Sequence, residues 1–183
     1  MAAHESPLCD FGKPAPEFKL LGVDGRRWTL ADSRGEKATL VMFLCNHCPY
    51  VQASIERIVT VCNGLAPLGM KAVAIMPNDV ENYPDDSYEN MQRFAQAHKF
   101  PLPYLYDETQ KTARAYGAVC TPDFFGYNAK LELQYRGRLD ESRPSLPKPD
   151  ARRELFEAMQ QIIETGKGPR EQFASVGCSV KWK

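Results

Sequence analysis

The sequence has no excess of charge of either sign: 23 Lys and Arg stand against 23 Asp and Glu. A chain so balanced offers no global field to hold a nucleic-acid backbone or an anionic membrane, so neither is expected as a partner. Long apolar runs are missing too. The longest, Ala38 to Leu44, is strand-sized and well short of the roughly 20 residues that span a bilayer, which predicts a soluble chain. The first residues, MAAHESPLCDFGKPAPEF, show no basic segment followed by an apolar one, so the reading is cytoplasmic. There is no internal repeat and no low-complexity segment. No glycine-rich phosphate loop follows a strand, no serine sits in a nucleophile elbow and no helix carries paired histidines, so nucleotide, esterase and metalloprotease chemistries lack support. Six cysteines in 183 residues are too sparse for a disulfide-stapled scaffold. In a reducing compartment they are read as catalytic, metal-binding or buried, and their spacing decides.

What is present is apolar material for a core, 43% of the chain, patterned as alternating strands and helices. Phe18–Leu20 and Arg27–Leu30 flank Val23-Asp24-Gly25 and predict an N-terminal hairpin. Ala38–Leu44 reads as a strand covered on both faces. After Pro49, Val51, Ile55, Ile58, Val59, Cys62 and Leu65 recur at helical spacing until Pro67 and Gly69. Met70–Met76 is a second strand, so residues 38–76 form a strand-helix-strand unit with a right-handed crossover and a parallel pairing. A helix over 86–98 is expected behind a capping box of Asp86 and Glu89. A strand over 103–106, a helix over 108–116 closed by Gly117, and a hairpin about Asn128-Ala129-Lys130 follow. Pro144, Pro147 and Pro149 punctuate a linker. Asp150 is placed as the cap of a last helix ended by Gly166. The organisation is thus a flexible N-terminus (1–11), one domain (12–165) and a polar tail without a period (166–183).

Chemistry is carried by Cys45-Asn46-His47-Cys48, a C-x-x-C between a buried strand and the first turn of a helix. Two thiols three positions apart there can close a disulfide, and the helix N-terminus favours a thiolate. Cys45 is read as the attacking thiol and Cys48 as the resolving one, with His47 adding to the effect when protonated. A zinc half-site of Cys45, His47 and Cys48 would need one more ligand, and no second C-x-x-C or H-x-x-x-H is present.

The segments LVMFLCNHCPYV, GKPAPEFKLLGVDGRRWTL and VCTPDFFGYNAKLELQYRGRLDE resemble the thioredoxin-like superfamily over about residues 12–165. More closely they are similar to its redoxin branch of peroxiredoxin-like, alkyl hydroperoxide reductase and thiol-specific antioxidant proteins. The resemblance implies an α/β thioredoxin-like fold: a central mixed sheet flanked by helices. It also implies a cis bond at Thr121-Pro122 facing the C-x-x-C, with the backbone before the proline pairing with a substrate chain. Pro49 follows Cys48 as that family's proline follows its peroxidatic cysteine. Where the family has a proline and a hydroxyl residue ahead of that cysteine, this chain has Val41 and Cys45, and the region of Cys120 and Thr121 holds no arginine.

The function expected is therefore thiol-disulfide exchange by Cys45 and Cys48, supported by Asn46, His47, Pro49, Thr121 and Pro122, with no cofactor. Partners would be protein or small-molecule thiols and disulfides, a thioredoxin-like or glutathione reductant, and at most a second copy of the chain. A thiol peroxidase with Cys48 as peroxidatic cysteine is the alternative. A soft-metal module using Cys45, Cys48 and His47 or Cys120 is the second. Cys120 and Cys178 are possible further redox thiols, Cys62 is assigned to the core, and Cys9 is read as free and exposed. His4 and His98 have no partner motif. Tyr50, Phe124 and Phe125 are candidates either for a peptide groove or for the core.

Overall fold

The computed structural model describes residues 3–144 and 148–183, so Pro147 of the expected linker lies outside the described residues. Within these bounds the elements run β1 (Ala3–Glu5), β2 (Lys19–Gly22), β3 (Arg27–Thr29), α1 (Leu30–Ser33), β4 (Ala38–Phe43), α2 (Pro49–Gln52), α3 (Ile55–Leu65) and β5 (Met70–Met76). They continue with α4 (Tyr88–Ala97), β6 (Tyr104–Tyr106), α5 (Lys111–Tyr116), β7 (Cys120–Thr121), β8 (Asp123–Asn128), β9 (Leu133–Gly137), α6 (Glu154–Thr165) and β10 (Val176–Ser179).

Seven strands form one mixed sheet in the order β3-β2-β6-β5-β4-β8-β9. β4, β5 and β6 are parallel, and β8 joins β4 antiparallel. The near-continuous apolar run of β4 follows from this placement, since every residue of the strand is buried. Its alternation sends Leu40 and Met42 to a core under α3 and α6, and Val41 and Phe43 to a second core with Leu30 and Tyr116. Each such leucine or phenylalanine contributes about 1.5–3 kcal/mol by leaving water. The expected mixed sheet flanked by helices is the one found, as is the N-terminal hairpin, β2 pairing β3 with Leu20 opposite Trp28. No helix among the described residues is long and apolar enough to cross a membrane.

Three local expectations are corrected. The helix after Pro49 is broken at Ala53 and Ser54 into α2 and α3. The Ser54 hydroxyl donates to the carbonyls of Tyr50 (2.7 Å) and Val51 (3.2 Å), a local bonding pattern that competes with the helical ladder. Ser87, not Asp86, caps α4, its hydroxyl accepting from the Asn90 amide. Asp150 does not cap α6, which begins after Arg153 without a side-chain cap and relies on Glu154 and Glu157 in its first turn. Gly117 and Gly166 do close α5 and α6, each in the left-handed region.

The two chain ends meet in a second sheet of order β1-β10-β7. β10 lies in the stretch that showed no sequence period. It is a strand because its backbone groups pair with β1 on one side and β7 on the other.

Candidate active site

Cys45 lies two residues beyond β4, and Cys48 is the N-cap residue of α2 with Pro49 at its first turn, where a missing N–H costs nothing. Opposite them, between β7 and β8, the Thr121-Pro122 peptide is cis, as the resemblance implied. Thr121 bridges the two thiols: its hydroxyl lies 3.2 Å from the Cys45 sulfur, and its carbonyl accepts from the Cys48 thiol at 3.2 Å. Two chain segments thus converge on one point, and both cysteines are buried.

The residues between the cysteines hold this loop in place. Asn46 accepts from the Tyr104 hydroxyl (3.0 Å) and donates to the Asp85 carbonyl (3.1 Å). Asp86, fully buried, accepts from the backbone amides of Asn46 (2.8 Å) and His47 (3.3 Å) and from the Asn78 side chain (2.8 Å). It also forms an ion pair with Nδ1 of His47 at 2.6 Å, and this carboxylate, opposed by partial burial, raises the His47 pKa. His47 stacks on Tyr83, and its Nε2 has no hydrogen-bond partner among the described residues. Sequence reasoning missed Asp86 as a site residue. It comes from a polar loop 38 positions downstream of Cys48, and no spacing rule links the two.

The electrostatics differ between the two sulfurs. A hydrogen bond from the Cys45 thiol lowers the pKa of Cys48, against the cost of burial; the thiol of Cys178 and the amides of Val51 and Cys178 add to the lowering. Cys45 is raised by holding that shared proton, by burial and by the Asp86 charge. The Thr121 carbonyl opposes this order because it favours a protonated Cys48, but it is one acceptor against several donors. The surroundings thus pull the two thiols apart, Cys48 down and Cys45 up, whereas the motif alone pointed to Cys45 as the more acidic.

The other cysteines sort by face. Residues directly opposite in an antiparallel pair share a face, and β10 places Cys178 opposite Thr121, on the side of the dithiol. Ser179 lies opposite Cys120, whose buried thiol points instead to the carbonyls of Pro122 (3.7 Å) and Ser175 (4.0 Å). Burial raises the Cys120 pKa. Cys62, in the α3 stripe, is pushed up to about 12 by burial alone. Cys9 is half-buried rather than exposed, and burial pushes it up to about 11. Phe124 and Phe125 are core residues on opposite faces of the sheet, while Tyr50 stays partly exposed. Arg136 is buried, bonded to Asp123 (3.0 Å) and the Gly117 carbonyl (2.7 Å), with its guanidinium over Phe125. It therefore lies on the face of the sheet away from the dithiol.

For a metal, the Cys45 sulfur, a His47 nitrogen and an Asp86 oxygen lie within 4.8 Å of one another. The Asp86 oxygens already accept three N–H donors and the His47 contact. A cation there would displace bonds that hold the loop, which weighs against a resident metal.

The family model for the AhpC/TSA family matches residues 11–141. Among solved structures, an uncharacterized conserved protein from Geobacillus kaustophilus is 45% identical, with 100% of this chain and 97% of that one covered and a TM-score of 0.95. A hypothetical protein from Sinorhizobium meliloti 1021 is 34% identical, with 98% of each chain covered and a TM-score of 0.93. The thioredoxin domain of a thiol-disulfide oxidoreductase from Bacteroides vulgatus shares the fold at 15% identity, with 84% and 97% covered and a TM-score of 0.64. No curated protein matches.

Proposed function

Because the chain belongs to the AhpC/TSA family and has a thioredoxin-like fold, we propose that it is a thiol-disulfide oxidoreductase working through the Cys45 and Cys48 couple. The observation that carries this reading is the convergence of both sulfurs on Thr121, each 3.2 Å from an oxygen of that one residue, beside a cis proline. In the reduced protein Cys48 is the thiolate and attacks one sulfur of a substrate disulfide, releasing the other half as a thiolate. Cys45, which holds the proton, then attacks the Cys48 sulfur of the mixed disulfide. The second thiol leaves, and the Cys45–Cys48 disulfide remains. Substrate disulfide is reduced by two electrons and the protein dithiol is oxidised by two. A thioredoxin-like or glutathione system would return the protein to the dithiol, and the same steps run in reverse oxidise a substrate. Tyr50, partly exposed beside Pro122, is suited to contact an incoming peptide.

The test is the reaction of reduced protein with oxidised glutathione, followed by mass mapping. Formation of a Cys45–Cys48 disulfide with release of two glutathiones is expected. The Cys48→Ser variant should react slower by about two orders of magnitude, and Cys45→Ser near the wild-type rate. The opposite ranking would restore Cys45 as the attacking thiol and leave the couple intact. Wild-type rates in both variants would remove the exchange reading altogether.

The lowered pKa of Cys48 also favours a second reading, a thiol peroxidase in which this sulfur becomes a sulfenic acid and Cys45 resolves it. Against it, Arg136 is committed to Asp123 on the other face of the sheet. A reaction with hydrogen peroxide no faster than that of an ordinary thiol of similar acidity would leave exchange as the activity.

A further inference from the structure

The third sulfur at this site belongs to the C-terminal strand. β10 is held between β1 and β7, with Cys178 directly opposite Thr121, the residue that contacts both members of the dithiol. Cys178 is buried in the same core cluster as Cys45 and Cys48, and α2, which starts from Cys48, packs against β10. Cys178 is near enough for its thiol and backbone amide to count among the groups that lower the Cys48 pKa. The approach is made close by Gly177, where a Cβ would overlap the Thr121 carbonyl. The segment is anchored on both sides of the cysteine: Ser175 donates to the Pro122 carbonyl (2.6 Å) and Val180 to the Val119 carbonyl (3.0 Å).

We propose that Cys178 is a second resolving thiol for Cys48, so that the site works with three sulfurs, Cys48 at the centre and Cys45 and Cys178 as alternative partners. This rests on the exchange reading above. When Cys48 carries a substrate thiol in a mixed disulfide, the Cys178 thiolate attacks the Cys48 sulfur, the substrate thiolate leaves with the proton that Cys178 gave up, and a Cys48–Cys178 disulfide forms. Alternatively, Cys178 attacks Cys48 within the Cys45–Cys48 disulfide, and Cys45 takes up the proton as the leaving thiol. That exchange conserves electrons and needs no outside oxidant.

The charge balance favours the step at the right moment. While Cys48 is a thiolate, its hydrogen bond and its charge, after burial, hold the proton on Cys178. Once Cys48 is in a disulfide both influences vanish; burial still opposes the Cys178 thiolate, and the nearby Lys181 ammonium favours it. The second consequence is mechanical. A Cys48–Cys178 bond would tie β10 covalently to the start of α2 and hold it on the edge of β7 that it covers, whereas an extended partner chain pairing on that edge must first displace β10.

The experiment is to treat reduced Cys45→Ser and Cys45→Ser/Cys178→Ser proteins with oxidised glutathione and to map disulfides by mass after quenching. In the single variant a Cys48–Cys178 disulfide should form with release of both glutathiones. In the double variant glutathione should remain on Cys48, with a lifetime at least about tenfold longer. Circular dichroism of both variants checks that the fold is kept. A stable glutathione adduct on Cys48 in the single variant, with Cys178 still free, overturns this inference and leaves the exchange function standing. A single variant inert to oxidised glutathione, beside a wild type that forms Cys45–Cys48, overturns it together with the Cys48-first order. A wild type that is inert as well overturns the exchange function with it.

Discussion

The two sheets of this protein are built on different terms. The seven-stranded sheet draws its strands from patterned segments, is covered on both faces and has the fully buried strand β4 in its interior, between β5 and β8. The three-stranded sheet takes residues from positions 3, 120 and 178, is at most four residues long in any strand, and has β7 of only two residues. Yet the small sheet, not the large one, supplies the wall of the dithiol. The large sheet's stability is the sum of many buried apolar contacts, and that makes it a fixed platform for Cys45 and Cys48. The small sheet depends on a few backbone pairings and one close approach at Gly177, so it can be changed at little cost to the rest.

The contrast can be broken most strongly from the large sheet. Leu40→Ala, at the fully buried centre of β4, should lower stability by about 3 kcal/mol, because the rigid surroundings leave a cavity; urea unfolding measures it, and a loss below about 1 kcal/mol would show the platform to be softer than described. Next in size is Gly177→Ala. Its methyl would overlap the Thr121 carbonyl, so β10 should leave β7 at a cost of about 1–3 kcal/mol, and Cys178 should become open to alkylation in the native protein while Cys62 stays closed. Unchanged protection of Cys178 would contradict the packing described here.

A smaller effect separates two cysteines of the same chain. Cys62→Ala on α3 removes a buried sulfur from the large core and should cost about 1 kcal/mol, while exchange with oxidised glutathione stays within about twofold of wild type, since a thiol pushed up to about 12 takes no part near neutral pH. The smallest is a pH dependence. Asp86 raises the folded-state pKa of His47 above its ordinary 6.5, so the protonated imidazole stabilises the folded state. That contribution is complete below pH about 6.5 and is lost as pH rises through the folded-state value. The urea midpoint should fall across that window in the wild type and not in His47→Gln; a proton NMR titration of His47 gives the folded value directly.

Much of the platform was legible in the chain. The run 38–44, the stripe from Val51 to Leu65 and the turn at Val23-Asp24-Gly25 carry the periodicities of a buried strand, an amphipathic helix and a hairpin, and the elements stand where these patterns put them, save that the helix is broken at Ala53 and Ser54. The pair Cys45 and Cys48 was legible because both cysteines lie in one short segment at a strand-helix junction. Asp86 was not, because a carboxylate in a polar loop looks the same whether it faces water or accepts three N–H groups beneath a redox motif. The surroundings that lower Cys48 and raise Cys45 were hidden for a related reason. Helix position alone favours a thiolate but does not say that Asp86 lies on the side of Cys45 and the amides of Val51 and Cys178 on the side of Cys48.

The sequence by itself determined most of the elements and the pairing of Cys45 with Cys48 in one short segment, since periodicity and the C-x-x-C spacing are local properties that survive whatever the rest of the chain does. Tertiary structure alone decided the role of the last residues. The segment around Cys178 has no apolar period and no motif; it becomes a strand only because β1 and β7 offer unpaired backbone groups on either side, and Cys178 joins the core cluster of Cys45 and Cys48 only because antiparallel register sets it opposite Thr121.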